Sequence, residues 1–236
     1  QQLHSMLAVI LVGENHASKT YVKNKHKACV EVGITPLQIN LPEATSEEEL
    51  LKEISFLNEN LLVNGILVQL PLPSHINTKR IMAAIAPNKD VDGFTVGSSF
   101  VPCTPKGVIR LLDSIPNYDL SGKVALVIGR SDIVGKPVAK LLMDRNSTVI
   151  QAHSKTRYSD LLHFFTIADI VVSAVGKQCV IGEFDAMTAS RYKYNLVDFE
   201  RKAKDRVIID VGINRNAQGN LYGDFDEMFK ATYSNY

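Results

Sequence analysis

VALVIGRSDIVGKP, residues 124–137, is the stretch that decides the fold. Val124–Ile128 is an apolar run of strand length that ends at Gly129. A second glycine follows at Gly135, and Lys136–Met143 then repeats apolar residues at helical spacing. A strand that turns through glycines into a helix opens a βαβ unit, and ligands of open parallel sheets sit at such turns. The glycines permit tight backbone geometry, and the amides at the helix start can face a phosphate. The turn is not a full G-x-G-x-x-G match, because Ser131 stands where the second glycine belongs. Nor is it a Walker loop: Gly129 and Gly135 are one residue too far apart, and Pro137 replaces the required Ser or Thr. A plain strand-to-helix turn stays open as the alternative.

Downstream the alternation continues, with strand Thr148–Ala152, a helix near Tyr158–Thr166, strand Asp169–Ala174 and strand Arg206–Val211. Strands and helices at this spacing imply a parallel, doubly wound sheet. Upstream, Met6–Val12 reads as a buried strand ending at Gly13, and a helix from about Ala17 to Val32 stops at Gly33. Pro36–Leu41 alternates as a short strand. Ser46 to Glu49 is a capping box opening a helix to about Asn58. Gly65–Leu70 is another strand, and Met82–Ile85 belongs to a short helix. A further helix runs from Thr104-Pro105 to about Leu112, with Thr104 as cap and Pro105 at the first helical position. The turn-rich Pro116–Gly122 marks a boundary, so the expected architecture is α/β with two domains, 1–116 and 117–236.

Composition narrows the function. A chain of 236 residues has room for two small domains. Its formal net charge of +1 gives no electrostatic reason to expect nucleic acid or an anionic membrane. The longest apolar runs, Val124–Ile128 and Ile170–Val175, are far too short to span a bilayer. Cys29, Cys103 and Cys179 are too few and too scattered for a disulfide framework or a zinc site, so no metal is expected. A reducing compartment fits, either cytoplasm or an organelle matrix. No secretory leader is legible; Gln1 is not a natural start, which leaves room for an upstream segment.

The second strand of the C-terminal half ends Ala152-His-Ser-Lys-Thr156. Sites that prefer NAD usually place an acid here to bind the ribose hydroxyls. This chain instead offers His153, Ser154 and Lys155, with Arg130 available from the first turn. Cations and hydroxyls suit a 2′-phosphate better than a bare hydroxyl, so the cluster favours NADP over NAD. His153 taken singly reads as a surface histidine.

A lysine stands out in the N-terminal half. Wound at about 3.6 residues per turn, the helix after Gly13 puts Tyr21, Ala28, Cys29 and Val32 on one face, with Lys25 in the middle. Lys19, Lys23 and His26 project to the other side. Burying an unpaired lysine is costly, so Lys25 asks for a cleft or a partner, and an amine partly stripped of water is suited to proton transfer. The bland alternative is that it snorkels to the surface. Tyr-x-x-x-Lys also occurs in short-chain dehydrogenases, but there it lies downstream of the cofactor loop, and here upstream. Gln69 interrupts an apolar strand, where its amide can face a substrate or merely end the strand. Asp92-Gly93 is by default a turn.

In order, these segments resemble the bifunctional methylenetetrahydrofolate dehydrogenase/cyclohydrolase family. The matching words are VGENHAS (12–18) with Tyr21 and Lys25, GILVQLPLP (65–73), KDVDG (89–93) and PCTP (102–105). In the second half they are GRSDIVGKP (129–137), HSKT (153–156), ADIVVSAVG (168–176) and DVGIN (210–214). The resemblance implies an N-terminal α/β catalytic domain and a C-terminal Rossmann-like domain with a cleft between them, paired as a homodimer through the cofactor domains. It implies oxidation of 5,10-methylenetetrahydrofolate by NADP and hydrolysis of the methenyl product to 10-formyltetrahydrofolate. Lys25 then matches the central group of the hydrolytic step, assisted by Gln69, while Tyr21 borders the folate and Asp92 hydrogen-bonds the pterin. Val68 and Leu70, flanking Gln69, join the substrate contacts. Gly129, Arg130, Ser131, His153, Ser154 and Thr156 match cofactor contacts, and Ile213 matches a backbone contact near the nicotinamide.

The chain departs from the family pattern in three places. It is shorter between Gly93 and Pro102, and longer between Gly176 and Val207, with an unusual stretch over Arg191–Lys204. It ends at Tyr236, where the family continues into a Pro-Gly-Gly-Val-Gly loop that lines the folate site. The competing expectations are a monofunctional dehydrogenase, one that uses NAD, and a cofactor-binding homologue without catalysis.

Overall fold

The computed structural model describes residues 5–176, 206–215 and 219–225; Cys179 and the Arg191–Lys204 stretch lie outside them. The chain divides into two compact units, Gln1–Val101 and Pro102–Tyr236.

In the first unit, strands β1 (Met6–Val12), β2 (Thr35–Leu41) and β3 (Gly65–Val68) form a parallel sheet in the order β2-β1-β3. Side chains alternate across a strand, and β1 is apolar on both faces because both are covered. Ala8, Ile10 and Val12 pack against Leu50, Ile54 and Leu57 of α2 (Glu47–Glu59) and Ile81 of α3 (Thr78–Ala84). Val9 and Leu11 pack against Val22 of α1 (His16–Glu31). The start of α2 follows the sequence closely. Ser46 Oγ accepts from the Glu49 amide at 3.2 Å, and the Glu49 carboxylate accepts from the Ser46 amide at 2.8 Å. The Ser46 amide and the Ser46 hydroxyl, which donates to the same carboxylate at 2.8 Å, hold the Glu49 carboxyl below the usual carboxylate range.

The packed face of α1 differs from the expected one. Its buried residues are Ser18, Val22 and Cys29, whereas Tyr21, Ala28 and Val32 are exposed. Positions 18, 22, 25 and 29 form one row at helical spacing, so Lys25 still falls within the packed stripe, where it is half-buried. The helix has few apolar residues, which leaves the phase of that stripe weakly written in the sequence.

In the second unit, β4 (Val124–Ile128), β5 (Thr148–Ala152), β6 (Ile170–Ser173) and β7 (Val207–Asp210) form a parallel sheet in the order β5-β4-β6-β7. One face carries α6 (Tyr158–Ile167) through Leu161, Leu162 and Phe165. The other carries α5 (Gly135–Asp144) through Val138 and Leu142, and α4 (Cys103–Asp113) through Val108 and Leu112. A short antiparallel pair, β8 (Asn214–Arg215) with β9 (Leu221–Tyr222), follows β7 and was not expected.

Two expectations are corrected here. The boundary falls between Val101 and Pro102 rather than after Pro116, because α4 buries its apolar side against β4, β6 and α5. The start of α4 also moves: Pro102 is its cap residue, no side chain caps it, and Thr104 and Pro105 lie inside the first turn. First-turn amides have no intrahelical partner, so a proline there costs the helix nothing.

Both sheets share one logic. The first strand of each is central, the second lies on one side of it, and the third crosses to the other side. That reversal opens a crevice at the carboxyl ends, between β1 and β3 in one unit and between β4 and β6 in the other.

Candidate functional site

At the first crevice, the Gln69 amide donates to Ile10 O at 2.9 Å and carries the ladder one residue past β3. Its side chain is oriented from both ends. Nε2 donates to Leu70 O at 2.7 Å, which turns Oε1 toward Lys25, whose Nζ donates to it at 3.1 Å. The lysine on the packed face thus has a partner, and the partner is the glutamine that interrupts the strand. The Leu70–Pro71 peptide is cis. Val68 gives its side chain to the core, so contacts from that position are left to its backbone, and Leu70 packs at the edge of the same cluster. Tyr21, one turn before Lys25, is 57% exposed and leaves its ring open to solvent.

Asp92 lies within the electrostatic reach of Lys25. Burial pushes its carboxyl above the ordinary carboxylate range, the Lys25 charge opposes that, and Asp90 adds to it. The loop beneath Asp92 is built by its neighbours. Asp90 is buried, and its carboxylate accepts from the amides of Asp92 at 3.0 Å, Gly93 at 2.9 Å and Thr95 at 2.7 Å. Lys89 is also buried, and its Nζ donates to Leu57 O at 2.9 Å and Asn60 O at 2.7 Å at the end of α2. A cation on the last carbonyls of a helix complements its dipole. Lys89 and Asp90 are therefore positioning residues that the sequence reading passed over. Two acids spaced by one residue before a glycine are the only signal, and it does not say which acid builds the turn.

At the second crevice, Gly129 follows β4 with φ +129°, and a Cβ there would lie 2.5 Å from Ala174 O. A Cβ on Gly135 would run into the Gly129 carbonyl. Both glycines are thus demanded by the close approach of the turn to β6 and to the start of α5. Ser131 Oγ accepts from the amides of Val134 and Gly135, at 3.2 Å each, so its oxygen ties down the helix start. Gln151 Nε2 donates to Gly129 O at 3.1 Å from the neighbouring strand.

Ile128 pairs with Ala152, so the turn after β5 stands beside the turn after β4. It is internally braced: His153 N donates to Thr156 Oγ1 at 2.9 Å, Thr156 N to His153 O at 2.8 Å, and Lys155 N to His153 Nδ1 at 3.1 Å. Arg130, Ser154 and Lys155 are exposed around it, with no acid at the end of β5. Ile213, after β7, is 70% exposed. A glycine turn without room for a Cβ, next to cations and hydroxyls, fits a dinucleotide phosphorylated on its ribose. Among the described residues no helix is long and apolar enough to cross a membrane.

Known proteins agree with this division. Residues 1–92 match the tetrahydrofolate dehydrogenase/cyclohydrolase catalytic domain, and residues 102–235 match the NAD(P)-binding domain of the same family. The bifunctional protein FolD of Polaromonas sp. is 48% identical over 93% of this chain and 75% of its own length. That of Enterococcus faecalis is 46% identical over 97% of this chain and 78% of its own. The crystal structure of the Campylobacter jejuni FolD dehydrogenase/cyclohydrolase superposes with a TM-score of 0.81 at 40% identity, covering 99% of this chain and 79% of that one. The Trypanosoma brucei FolD structure, complexed with NADP cofactor and an inhibitor, gives 0.76 at 32% identity over 94% of this chain and 74% of that one. The chain belongs to the tetrahydrofolate dehydrogenase/cyclohydrolase family.

Proposed function

We propose that this chain oxidises 5,10-methylenetetrahydrofolate with NADP and hydrolyses the resulting 5,10-methenyltetrahydrofolate to 10-formyltetrahydrofolate. The observation that carries this reading is the Lys25–Gln69 hydrogen bond of 3.1 Å at the carboxyl end of β3. An ammonium group half-withdrawn from water and aimed by a fixed amide is a proton-handling device, not a surface charge.

Hydrolysis adds water to the methenyl carbon, releases a proton and breaks the bond to N5, leaving the formyl group on N10. Lys25 Nζ is the group placed to move the proton between the attacking water and N5. Gln69 cannot take the proton itself; it holds Nζ in position. Asp92, whose carboxyl is pushed toward the neutral form, serves as a hydrogen-bonding partner for the pterin. Tyr21 offers its exposed ring as a flat border for the folate, with Val68 and Leu70 contributing around Gln69.

In the second unit, Arg130, His153 and Ser154 would hold the 2′-phosphate, with Lys155 adding charge and Thr156 fixing the turn. Gly129 and Ser131 would shape the turn that receives the pyrophosphate, and the backbone at Ile213 would border the nicotinamide. NADP, when bound, supplies the hydride acceptor; the chain's own task in that step is orientation. A homodimer and a cytoplasmic or organelle-matrix setting belong to the same proposal and are carried by the family resemblance.

The test is spectroscopic. With methylenetetrahydrofolate and NADP, the absorbance of the methenyl product rises and then decays as it is hydrolysed. A rise without catalysed decay would reduce the reading to a monofunctional dehydrogenase, equal turnover with NAD would remove the cofactor assignment, and no rise would leave a cofactor-binding protein.

A further inference from the structure

Two buried or partly buried carboxylates in the second unit have no part in the reading above. Asp224 is fully buried, and its carboxylate collects donors from two separate segments. Ser173 Oγ at 2.7 Å and Val175 N at 2.9 Å come from the end of β6, and Asn214 Nδ2 at 3.1 Å comes from β8. Asp210, the last residue of β7, answers from the opposite side. It accepts from the amides of Gly212 at 2.9 Å, Asp224 at 2.9 Å and Phe225 at 3.1 Å. Each carboxylate also lies where a side chain would otherwise be. A Cβ on Gly212 would land on the Asp224 carboxylate, and one on Gly223 would land on that of Asp210.

A buried carboxylate is tolerated only when donors replace its water, and an apolar residue fills core space with less demand. What these two acids achieve instead is placement. Together they fix Val211–Asn214 from both sides of Ile213, while Ile213 itself stays exposed. The same brace seizes the Val175 amide, next to Ala174, whose carbonyl faces Gly129.

We propose that Asp224, supported by Asp210, is a positioning residue for cofactor binding, holding the Ile213 backbone preformed at the carboxyl ends of β6 and β7 for the nicotinamide half of NADP. This rests on the reading that Ile213 borders the nicotinamide. A loop ordered before the ligand arrives costs less to bind than one ordered by it, so the brace acts on affinity for the half of the cofactor it faces. The adenosine half, placed around Arg130 and Ser154 in that reading, meets none of the groups that the two carboxylates hold directly.

The experiment is calorimetric binding of NADP and of adenosine 2′,5′-bisphosphate, which lacks the nicotinamide half, to the whole chain and to Asp224→Asn. However the new amide is turned, at least one donor loses its acceptor. The expected result is NADP binding weaker by roughly tenfold or more, with bisphosphate binding within about twofold of the parent. Equal weakening of both ligands, or of neither, overturns the proposal. Asn214→Ala keeps the carboxylate and removes the Nδ2 that donates to Asp224 and to Gly223 O; it is expected to show the same selective loss at several-fold, and it carries the test if Asp224→Asn does not fold. Amide exchange in the unaltered chain separates the two layers of the argument. If NADP, but not the bisphosphate, protects the Ile213 amide, yet both variants bind NADP normally, the brace alone fails. If NADP gives no protection, the Ile213 reading fails and takes the proposal with it.

Discussion

In the first unit the candidate groups are side chains half-withdrawn from water and tied to one another: Lys25 on Gln69, with Asp92 in the field of Lys25. In the second they are bare backbone at Gly129 and exposed side chains at Arg130, Ser154 and Lys155. Gln69 and the Gly129 turn both follow strands that flank the point where strand order reverses, whereas Ser154 and Lys155 follow β5, on the far side of β4. Under the proposed function the difference follows from the work. Moving a proton needs an amine whose position and hydration are controlled, and a strand-end amide supplies that control. Gripping phosphates needs amides free of side-chain bulk, and cations that can stay hydrated until the ligand arrives.

The sharpest way to break that comparison is Lys25→Met. Loss of a positioned proton-transfer group lowers the rate by roughly 10²- to 10⁴-fold. The expected outcome is that methenyltetrahydrofolate persists in the absorbance assay, while calorimetric NADP binding is unchanged. A variant that still hydrolyses the methenyl product at the parental rate would place proton transfer elsewhere.

Gly129→Ala attacks the other unit through its backbone. The new Cβ meets a φ of +129° and would sit 2.5 Å from Ala174 O, a backbone atom just past the end of β6 rather than a flexible side chain. Strain of this kind costs about 1–3 kcal/mol, read as a lowered denaturant midpoint, and NADP affinity should fall with it. Arg130→Ala is gentler and more selective. Removing a charged hydrogen-bond donor costs about 1.5–3 kcal/mol, or roughly ten- to a hundredfold in the NADP dissociation constant. Binding of NAD, which has no 2′-phosphate, should be unaffected; an equal loss for NAD would show that Arg130 grips something both cofactors share.

These contrasts also explain what the sequence made legible. Strands β1, β4 and β5 have the expected bounds, because an apolar run closed by glycine or a turn carries its own length. The Gly129 turn was recognisable although it lacks a standard fingerprint, since glycine spacing records close approach directly. The phase of α1 was not legible: a helix with three buried residues, one of them Ser18, leaves its packed face underdetermined. The domain boundary was misplaced for a related reason. Pro116–Gly122 looks like a linker, but α4 is claimed by the second unit through Val108 and Leu112, a long-range packing choice that local composition does not encode. Asp224 was missed because its donors at Ser173, Val175 and Asn214 are far away in sequence. The half-burial of Lys25 agrees with its reading as an inward lysine, although the face expected to carry it shares only Cys29 with the packed one.

The smallest expected effect separates the two units by their response to pH. Burial raises the Asp92 carboxyl in the folded state above its ordinary value of 3.8, so the folded chain holds that proton more tightly than the unfolded chain does. The stabilising contribution of Asp92 is therefore complete below the unfolded value and is lost as pH rises through the higher folded one. Asn does not titrate, so Asp92→Asn should gain stability relative to the parent over that window and hold the gain at neutral pH, by no more than about 1 kcal/mol. Denaturant midpoints of the two proteins from about pH 3.5 to 7 measure it. Lys25 is the influence that lowers the Asp92 carboxyl, so the pH-dependent gain should be larger in a Lys25→Met background. A gain that is the same with and without Lys25 would mean that the amine and the carboxyl do not sense each other, and the first crevice would then be two neighbouring groups rather than one coupled set.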